Sequence, residues 1–224
     1  MNQILIVEDE PTLSDAYSRI LGELFHNNRI DPFDIHICNS LVIAHNTIDV
    51  FLKSGKNPTL CILDYRLEKM SDEDNENGMG IGMILRKHFP DCKIMLITSI
   101  ADKYLYQTII DQIKPSGFLI KSEINYRSIG DDICSVLEGK LVYSKTINDF
   151  IKNSPYSKYG LDYTDLKLIH LMSKRYTFSE IALKMGISIS GVEYRKRSIA
   201  KKLGAVSSTT KDLLKLFKQE LDFS

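Results

Sequence analysis

Six side chains in the first 121 residues have types suited to one kind of chemistry. They are the carboxylates of Glu8, Asp9, Glu10 and Asp64, the hydroxyl of Thr98 and the ammonium of Lys121. Each group stands just after, or a residue or two beyond, a short apolar run: Ile4–Val7, Leu60–Leu63, Ile94–Ile97 and Phe118–Ile120. Carboxylates gathered at one point repel one another, and a hard divalent cation with oxygen ligands relieves that repulsion. Mg²⁺ suits such a set better than zinc, because no His or Cys accompanies the acids. An Asp beside Mg²⁺ can attack a phosphoryl group while the metal, a lysine and a hydroxyl take up charge on the transferred oxygens.

The elements that must bring these groups together are legible as an alternation. Short runs rich in Ile, Val and Leu (the four above and Phe33–Cys38) read as strands buried on both faces. Stretches of about 11–18 residues with helical spacing separate them. Leu13, Tyr17, Ile20, Leu21 and Leu24 make one stripe, with Pro11 at the helix start. Ile81, Ile84, Leu85 and Phe89 make another, ended by Pro90. Five strand–helix repeats predict an α/β fold with a doubly wound, five-stranded parallel sheet, whose ligands bind at the carboxyl ends of the strands. Residues 141–159 read as a linker holding at most a short helix, punctuated by Ser144, Asn148, Asn153, Ser154, Pro155 and Ser157. From Leu161 onward the pattern is helical, with segments at about 162–173, 178–184, 189–203 and 208–221.

The order Ile6-Val7-Glu8-Asp9-Glu10-Pro11, Ile62-Leu63-Asp64, Ile97-Thr98-Ser99 and Gly117-Phe118-Leu119-Ile120-Lys121-Ser122 resembles the receiver domain of two-component response regulators. The resemblance covers residues 1–140. It implies that Asp64 is the phosphoacceptor, that Glu8, Asp9, Asp64 and the backbone carbonyl of Arg66 hold Mg²⁺, and that a histidine kinase is the phosphate donor. It further implies that Thr98, Lys121 and Phe118 sense the phosphate. Taken singly, Asp64 could cap a turn, Thr98 and Phe118 could be ordinary core residues, and Lys121 a solvated lysine. Arg66 and Ile100 stand at the positions that tune phosphate loss in this family, and neither side chain can position a water as a carboxylate or amide does. A long-lived phosphoryl-Asp64 is therefore expected. Ser122 replaces the proline of many receivers. The loop after Asp64, Arg66 to Gly78, is longer than usual for the family and carries Glu68, Asp72, Glu73, Asp74 and Glu76 in its acidic stretch 68–77. Its calcium-like spacing fails, with Asn77 where a loop glycine is needed and Met83 where a bidentate Glu is needed, so a flexible acidic loop is expected.

The segment Phe178 to Ser188 reads as a helix, a turn at Gly186 and a new helix capped by Ser188. That is a helix-turn-helix, whose second helix enters the DNA major groove. On it Val192, Ile199 and Leu203 make a core stripe, and Ser190, Glu193, Tyr194, Arg197 and Lys201 fall opposite. The stretch Ile187 to Ala205, with Leu161, Asp165, Leu168, Leu171, Glu180, Ile181 and Ala182 upstream, resembles the LuxR/NarL/FixJ-type output domain, here residues 160–224. By that likeness Glu193, Tyr194 and Arg197 face base edges, Ser190 joins the DNA-binding face, and Lys174, Arg175, Lys196, Lys201 and Lys202 meet phosphates. The departures are Gly191 for a usual threonine, Glu193 for lysine and Arg195 for histidine. Glu193 can accept from a cytosine amine or pair with Arg197 one turn on. Leu213, Leu214, Leu216, Phe217 and Leu221 can serve a dimer or the domain's own core.

Composition agrees with this division. The 224 residues carry 29 basic and 29 acidic side chains, yet residues 1–158 hold 17 against 22 and residues 159–224 hold 12 against 7. A basic tail behind an acidic front suggests a polyanionic partner for the tail. Cys38, Cys61, Cys92 and Cys134 are widely spaced and form no CxxC pair, as expected of buried thiols in a reducing cytoplasm. No apolar run approaches the roughly 20 residues of a membrane span, and no leader is apparent. The expectation is a cytoplasmic, non-enzymatic transcription regulator that binds double-stranded DNA and forms a homodimer when phosphorylated. Its rivals are a phosphate-independent DNA-binding regulator and a receiver that acts mainly through protein contacts.

Overall fold

The computed structural model describes residues 2–67, 78–125, 127–153, 158–205 and 209–221; the acidic stretch 68–77 lies outside them. The chain divides into two compact units, residues 1–101 with 109–147, and residues 102–108 with 148–224.

The first unit is a parallel sheet with helices between its strands. The strands are β1 (Asn2–Val7), β2 (Phe33–Cys38), β3 (Pro58–Asp64), β4 (Lys93–Thr98), β5 (Gly117–Ile120) and β6 (Val142–Tyr143), in the spatial order β2-β1-β3-β4-β5-β6. Helices α1 (Pro11–His26), α2 (Leu41–Ser54), α3 (Gly78–His88), α4 (Lys103–Gln112) and α5 (Ile129–Leu137) make the crossovers. The alternation seen in the sequence is thus realised, with one addition. The stretch expected to be a linker contributes a sixth, two-residue strand and a helix, α6 (Lys145–Asn153). A strand that short has no periodicity to read. It forms because β5 offers an unpaired edge, where Gly117 and Phe118 pair with Val142 and Tyr143. The Tyr143 hydroxyl, 3.0 Å from the Pro115 carbonyl, fastens it.

Residues 4–7 of β1, 60–64 of β3 and 94–98 of β4 are all buried, which is why these runs show no polar alternation. One face of the sheet packs Ile4, Ile6, Leu60, Ile62, Met95 and Ile97 against Tyr17, Leu21 and Leu24 of α1 and Ile129 and Ile133 of α5. Each such side chain contributes about 1.5–3 kcal/mol of transfer free energy.

The second unit is helical: α7 (Tyr163–Ser173), α8 (Phe178–Met185), α9 (Ile189–Lys202) and α10 (Thr210–Leu221). Its core joins Leu161, Leu166, Leu168, Ile169, Ile181, Val192, Ile199 and Leu213. Leu213 is buried and Leu214 packs against the same core, so this part of the last helix serves its own domain.

Candidate functional site

The strand order reverses between β1 and β3, the first connection running outward to β2 and the next returning across β1. Chain ends that diverge there leave a crevice above the carboxyl ends of the strands. Glu8 and Asp9 directly follow β1, and Asp64 is the last residue of β3, so the three carboxylates enter this crevice together. One carboxylate oxygen from each lies within 4.8 Å of the others. Asp64 is 4% exposed and Glu8 1%.

Lys121, in the 3₁₀ turn Lys121–Glu123 that follows β5, reaches into the same place. Its Nζ stands 2.7 Å from Asp64 Oδ2 and 3.1 and 3.3 Å from the two oxygens of Glu8. Shared between two buried acids, the Lys121 ammonium does not offset the burial of Glu8. Burial first, and the Asp64 charge second, push the Glu8 pKa up to about 7 although Lys121 pulls it down. Burial works against the Lys121 charge too, but its bond to Asp64 and the charges of both acids hold its pKa above the ordinary lysine value. A pocket that gathers three carboxylates, with oxygen donors alone, fits Mg²⁺.

The backbone around Asp64 is held in three ways. The Arg66 amide donates to Asp64 Oδ1 at 2.9 Å, and the Tyr65 amide donates to the Ile97 carbonyl at 3.0 Å. Gly78, first residue of α3, donates its amide to the Tyr65 carbonyl. A Cβ at residue 78 would collide with the Asp64 carbonyl and lie 2.8 Å from Tyr65 Cα, so only glycine lets α3 start against the phosphoacceptor candidate. Gly78 was not singled out in the sequence, because only the packed fold brings it to that backbone.

Thr98 ends β4 next to β3, fully buried, and its Oγ1 accepts from the Ile100 amide at 3.1 Å. Phe118 lies fully buried in β5, between β4 and β6. The structure therefore gathers Glu8, Asp9, Asp64 and Lys121 into one cluster and sets Thr98 and Phe118 on the adjoining strands.

In the second unit, α8, a glycine turn and α9 form the helix-turn-helix. Thr177 caps α8 in a reciprocal box with Glu180, Gly186 turns at φ 65°, and Ser188 caps α9 by accepting from the Gly191 amide at 3.0 Å. Val192 and Ile199 of α9 are buried. Ser190, Glu193, Tyr194, Arg197 and Lys201 are exposed, Tyr194 by 69%. No ion pair between Glu193 and Arg197 is present among the described residues.

The cations divide into two groups. Lys174 and Arg175 are exposed at the end of α7, and Lys196 lies over the Phe178 ring at 4.8 Å. Lys202, by contrast, is held at 2.7 Å by Asp165, which is 1% exposed. Arg195 bonds Asp165 at 2.8 Å and Asp162 at 3.1 Å. Burial opposes the Arg195 charge, but its bonds to Asp162 and Asp165 keep its pKa above the ordinary arginine value. This network ties α9 to the start of α7, a long-range pairing with no local signal in the sequence.

No family model matches the chain. Among curated proteins it is 24% identical over 238 residues to oxygen regulatory protein NreC of Staphylococcus carnosus and 26% identical over 235 residues to NreC of Staphylococcus aureus. Each alignment covers 99% of this chain and all of the relative. Among solved structures, RcsB of Salmonella enterica serovar Typhimurium bound to the rprA promoter with a beryllofluoride phosphomimetic matches with a TM-score of 0.56 at 16% identity, over 96% of this chain and 98% of that one. The isolated receiver domain of the same protein matches with a TM-score of 0.52 at 14% identity, over 67% of this chain and 99% of that one. In its ordered motifs, its two-domain fold and its full-length relatives, the chain is similar to two-component response regulators built of a receiver followed by a LuxR/NarL-type helix-turn-helix domain.

Proposed function

We propose that this protein is a DNA-binding transcription regulator switched by phosphorylation of Asp64. The observation that carries the reading is the convergence of Glu8, Asp9, Asp64 and Lys121 in one buried, under-compensated pocket at the sheet's reversal point. Glu8, Asp9, Asp64 and the Arg66 carbonyl hold Mg²⁺, which when bound shields the incoming phosphoryl oxygens. Asp64 supplies the oxygen that attacks phosphorus as the P–N bond of the kinase's phosphohistidine breaks and the imidazole leaves with a proton, the Asp64 backbone being fixed by Tyr65, Arg66 and Gly78. Lys121 exchanges its bond to Asp64 Oδ2 for one to a phosphoryl oxygen, and Thr98 turns its hydroxyl from the Ile100 amide to another.

Residues 1–140 with the edge strand β6 form the receiver, the rest of the stretch to 159 links it onward, and 160–224 form the DNA-binding domain of a cytoplasmic protein whose donor is a histidine kinase. Ser190, Glu193, Tyr194 and Arg197 face base edges, while Lys174, Arg175, Lys196 and Lys201 meet phosphates. Lys202 reaches a phosphate only by sharing its charge with Asp165. Phosphorylation favours a homodimer, which sets two recognition helices on half-sites about one helical turn apart. Among the described residues no helix is long and apolar enough to cross a membrane.

Sedimentation velocity with and without Mg²⁺ and beryllofluoride tests the switch. A monomer-to-dimer shift in the wild type, absent in Asp64→Asn, is the expected result. DNA affinity that is indifferent to beryllofluoride in both proteins would replace this reading with a phosphate-independent regulator.

A further inference from the structure

The turn that presents Lys121 to the phosphoacceptor has a second engaged end. Glu123 closes the same 3₁₀ turn, Lys121–Glu123, and faces the start of α6. Its carboxylate accepts from the Thr146 amide at 3.1 Å and from the Thr146 hydroxyl. The Lys145 amide and the Ser144 hydroxyl stand close enough to pull its pKa down. The amides are donors that the first turn of a helix leaves unsatisfied, and a carboxylate there also meets the positive end of the helix dipole. Burial is the largest single influence on the Glu123 pKa and raises it. Thr146, Lys145 and Ser144 together outweigh it and hold the pKa below the ordinary carboxylate value.

The preceding residues are bonded to β5. The Ser144 amide donates to the Phe118 carbonyl at 3.1 Å, the Ile120 amide approaches Ser144 Oγ at 3.4 Å, and Tyr143 pairs with Phe118. The strand carrying Phe118 and the turn carrying Lys121 are thereby both joined to the segment from which α6 starts, and α6 carries the chain out of the receiver.

Resting on the phosphorylation reading above, we infer that Glu123 is a positioning residue that couples the state of Asp64 to helix α6. The turn is one hydrogen-bonded unit, closed by the Ile124 amide on the Lys121 carbonyl, so a backbone displacement at Lys121 on phosphorylation is passed to Glu123. Glu123 then changes its hold on the Ser144–Thr146 donors, and the first turn of α6 tightens or frays accordingly.

Hydrogen exchange on the full-length chain, with Mg²⁺ alone and with Mg²⁺ plus beryllofluoride, tests this. In the wild type, exchange at the amides of residues 145–150 is expected to change at least fivefold on adding beryllofluoride, alongside the amides of residues 65–67 and 98–100 in the pocket. In Glu123→Ala the pocket amides still respond and the α6 amides do not. Glu123→Gln keeps an acceptor oxygen and restores part of the α6 response, which a general loss of folding would not do. Thr146→Val removes one donor only and weakens the response without abolishing it. An α6 response in Glu123→Ala equal to that of the wild type, or a wild-type pocket response with none in α6, overturns the coupling. Silence at the wild-type pocket amides overturns the phosphorylation reading and the coupling with it.

Discussion

Each half of the molecule buries an acidic group and sets amines or guanidiniums against it, with opposite balances. In the receiver-like unit, Glu8 and Asp64 share the Lys121 ammonium among the described residues, and the shortfall shows as a Glu8 carboxyl whose pKa rises to about 7. In the tail, Asp165 and Asp162 face Arg195 and Lys202, two against two, and every charge has a partner within 3.2 Å. A balanced buried network ties elements together and asks for nothing further. An unbalanced one suits the cation and phosphoryl group proposed for it, at a cost to the resting fold. The distinction separates a structural cluster from a functional one even though both are built of the same residue types.

The sharpest way to break the comparison is to make one substitution in both places. Asp165→Asn removes a charge that two cations need and is expected to destabilise the tail by about 2–3 kcal/mol, discounted from the value for a fully buried pair because Arg195 and Lys202 are one-third exposed. Asp64→Asn removes one of three crowded acids and is expected to leave thermal stability in Mg²⁺-free buffer unchanged or higher, while abolishing phosphorylation. Paired thermal melts check both; equal losses would erase the distinction.

The recognition helix sharpens it next. Arg197 is exposed and forms no ion pair among the described residues, so Arg197→Ala is expected to leave the melting temperature unmoved and to cost about 1–3 kcal/mol on specific DNA. Lys202→Ala is expected to lower stability by about 1 kcal/mol and to weaken binding to specific and random DNA alike. Titrations on both DNAs, with a melt of each variant, separate the two roles.

A smaller effect is expected at Arg175, which sits at φ 64° in the left-handed region that costs a residue with a Cβ about 1–2 kcal/mol. Arg175→Gly is expected to raise stability by about 1 kcal/mol and to lower affinity for any DNA, as the loss of a phosphate contact would. A gain in stability with unchanged DNA affinity would remove Arg175 from the interface.

The smallest effect is the pH dependence of the receiver. Glu8 has a folded pKa raised from 4.5 to about 7, so between those values the folded chain binds more protons than the unfolded one. Its contribution to metal-free stability therefore declines as pH rises from about 5 to about 7.5. The decline is expected in wild-type melts, absent in Glu8→Gln and offset by Mg²⁺, whose affinity rises over the same range.

Much of the fold was readable because its signals are local. The buried runs of β1, β3 and β4 and the helical stripe of α1 are set by the period of each element. Pro11, Gly186 and Ser188 mark helix ends through their own local chemistry. The acids after β1 and β3 were also legible, since a parallel sheet puts strand ends on one side. β6 was not, because two residues carry no period and the strand exists only where β5 has an edge to pair. Gly78, Glu123 and the Asp165 network escaped for a related reason, since each matters through a neighbour 13 to 37 positions away.

The element types, the two-part plan and the candidate acids thus follow from spacing and side-chain chemistry along the chain alone. Which charges balance is settled by packing and by nothing short of it. Ion pairing depends on distances of a few ångströms between residues remote in the chain, and burial decides how much each uncompensated charge costs. That is why Lys121 and Lys202, both lysines near helix or strand ends, part company: one faces a surplus of acids at the reversal of the sheet, the other completes a closed network.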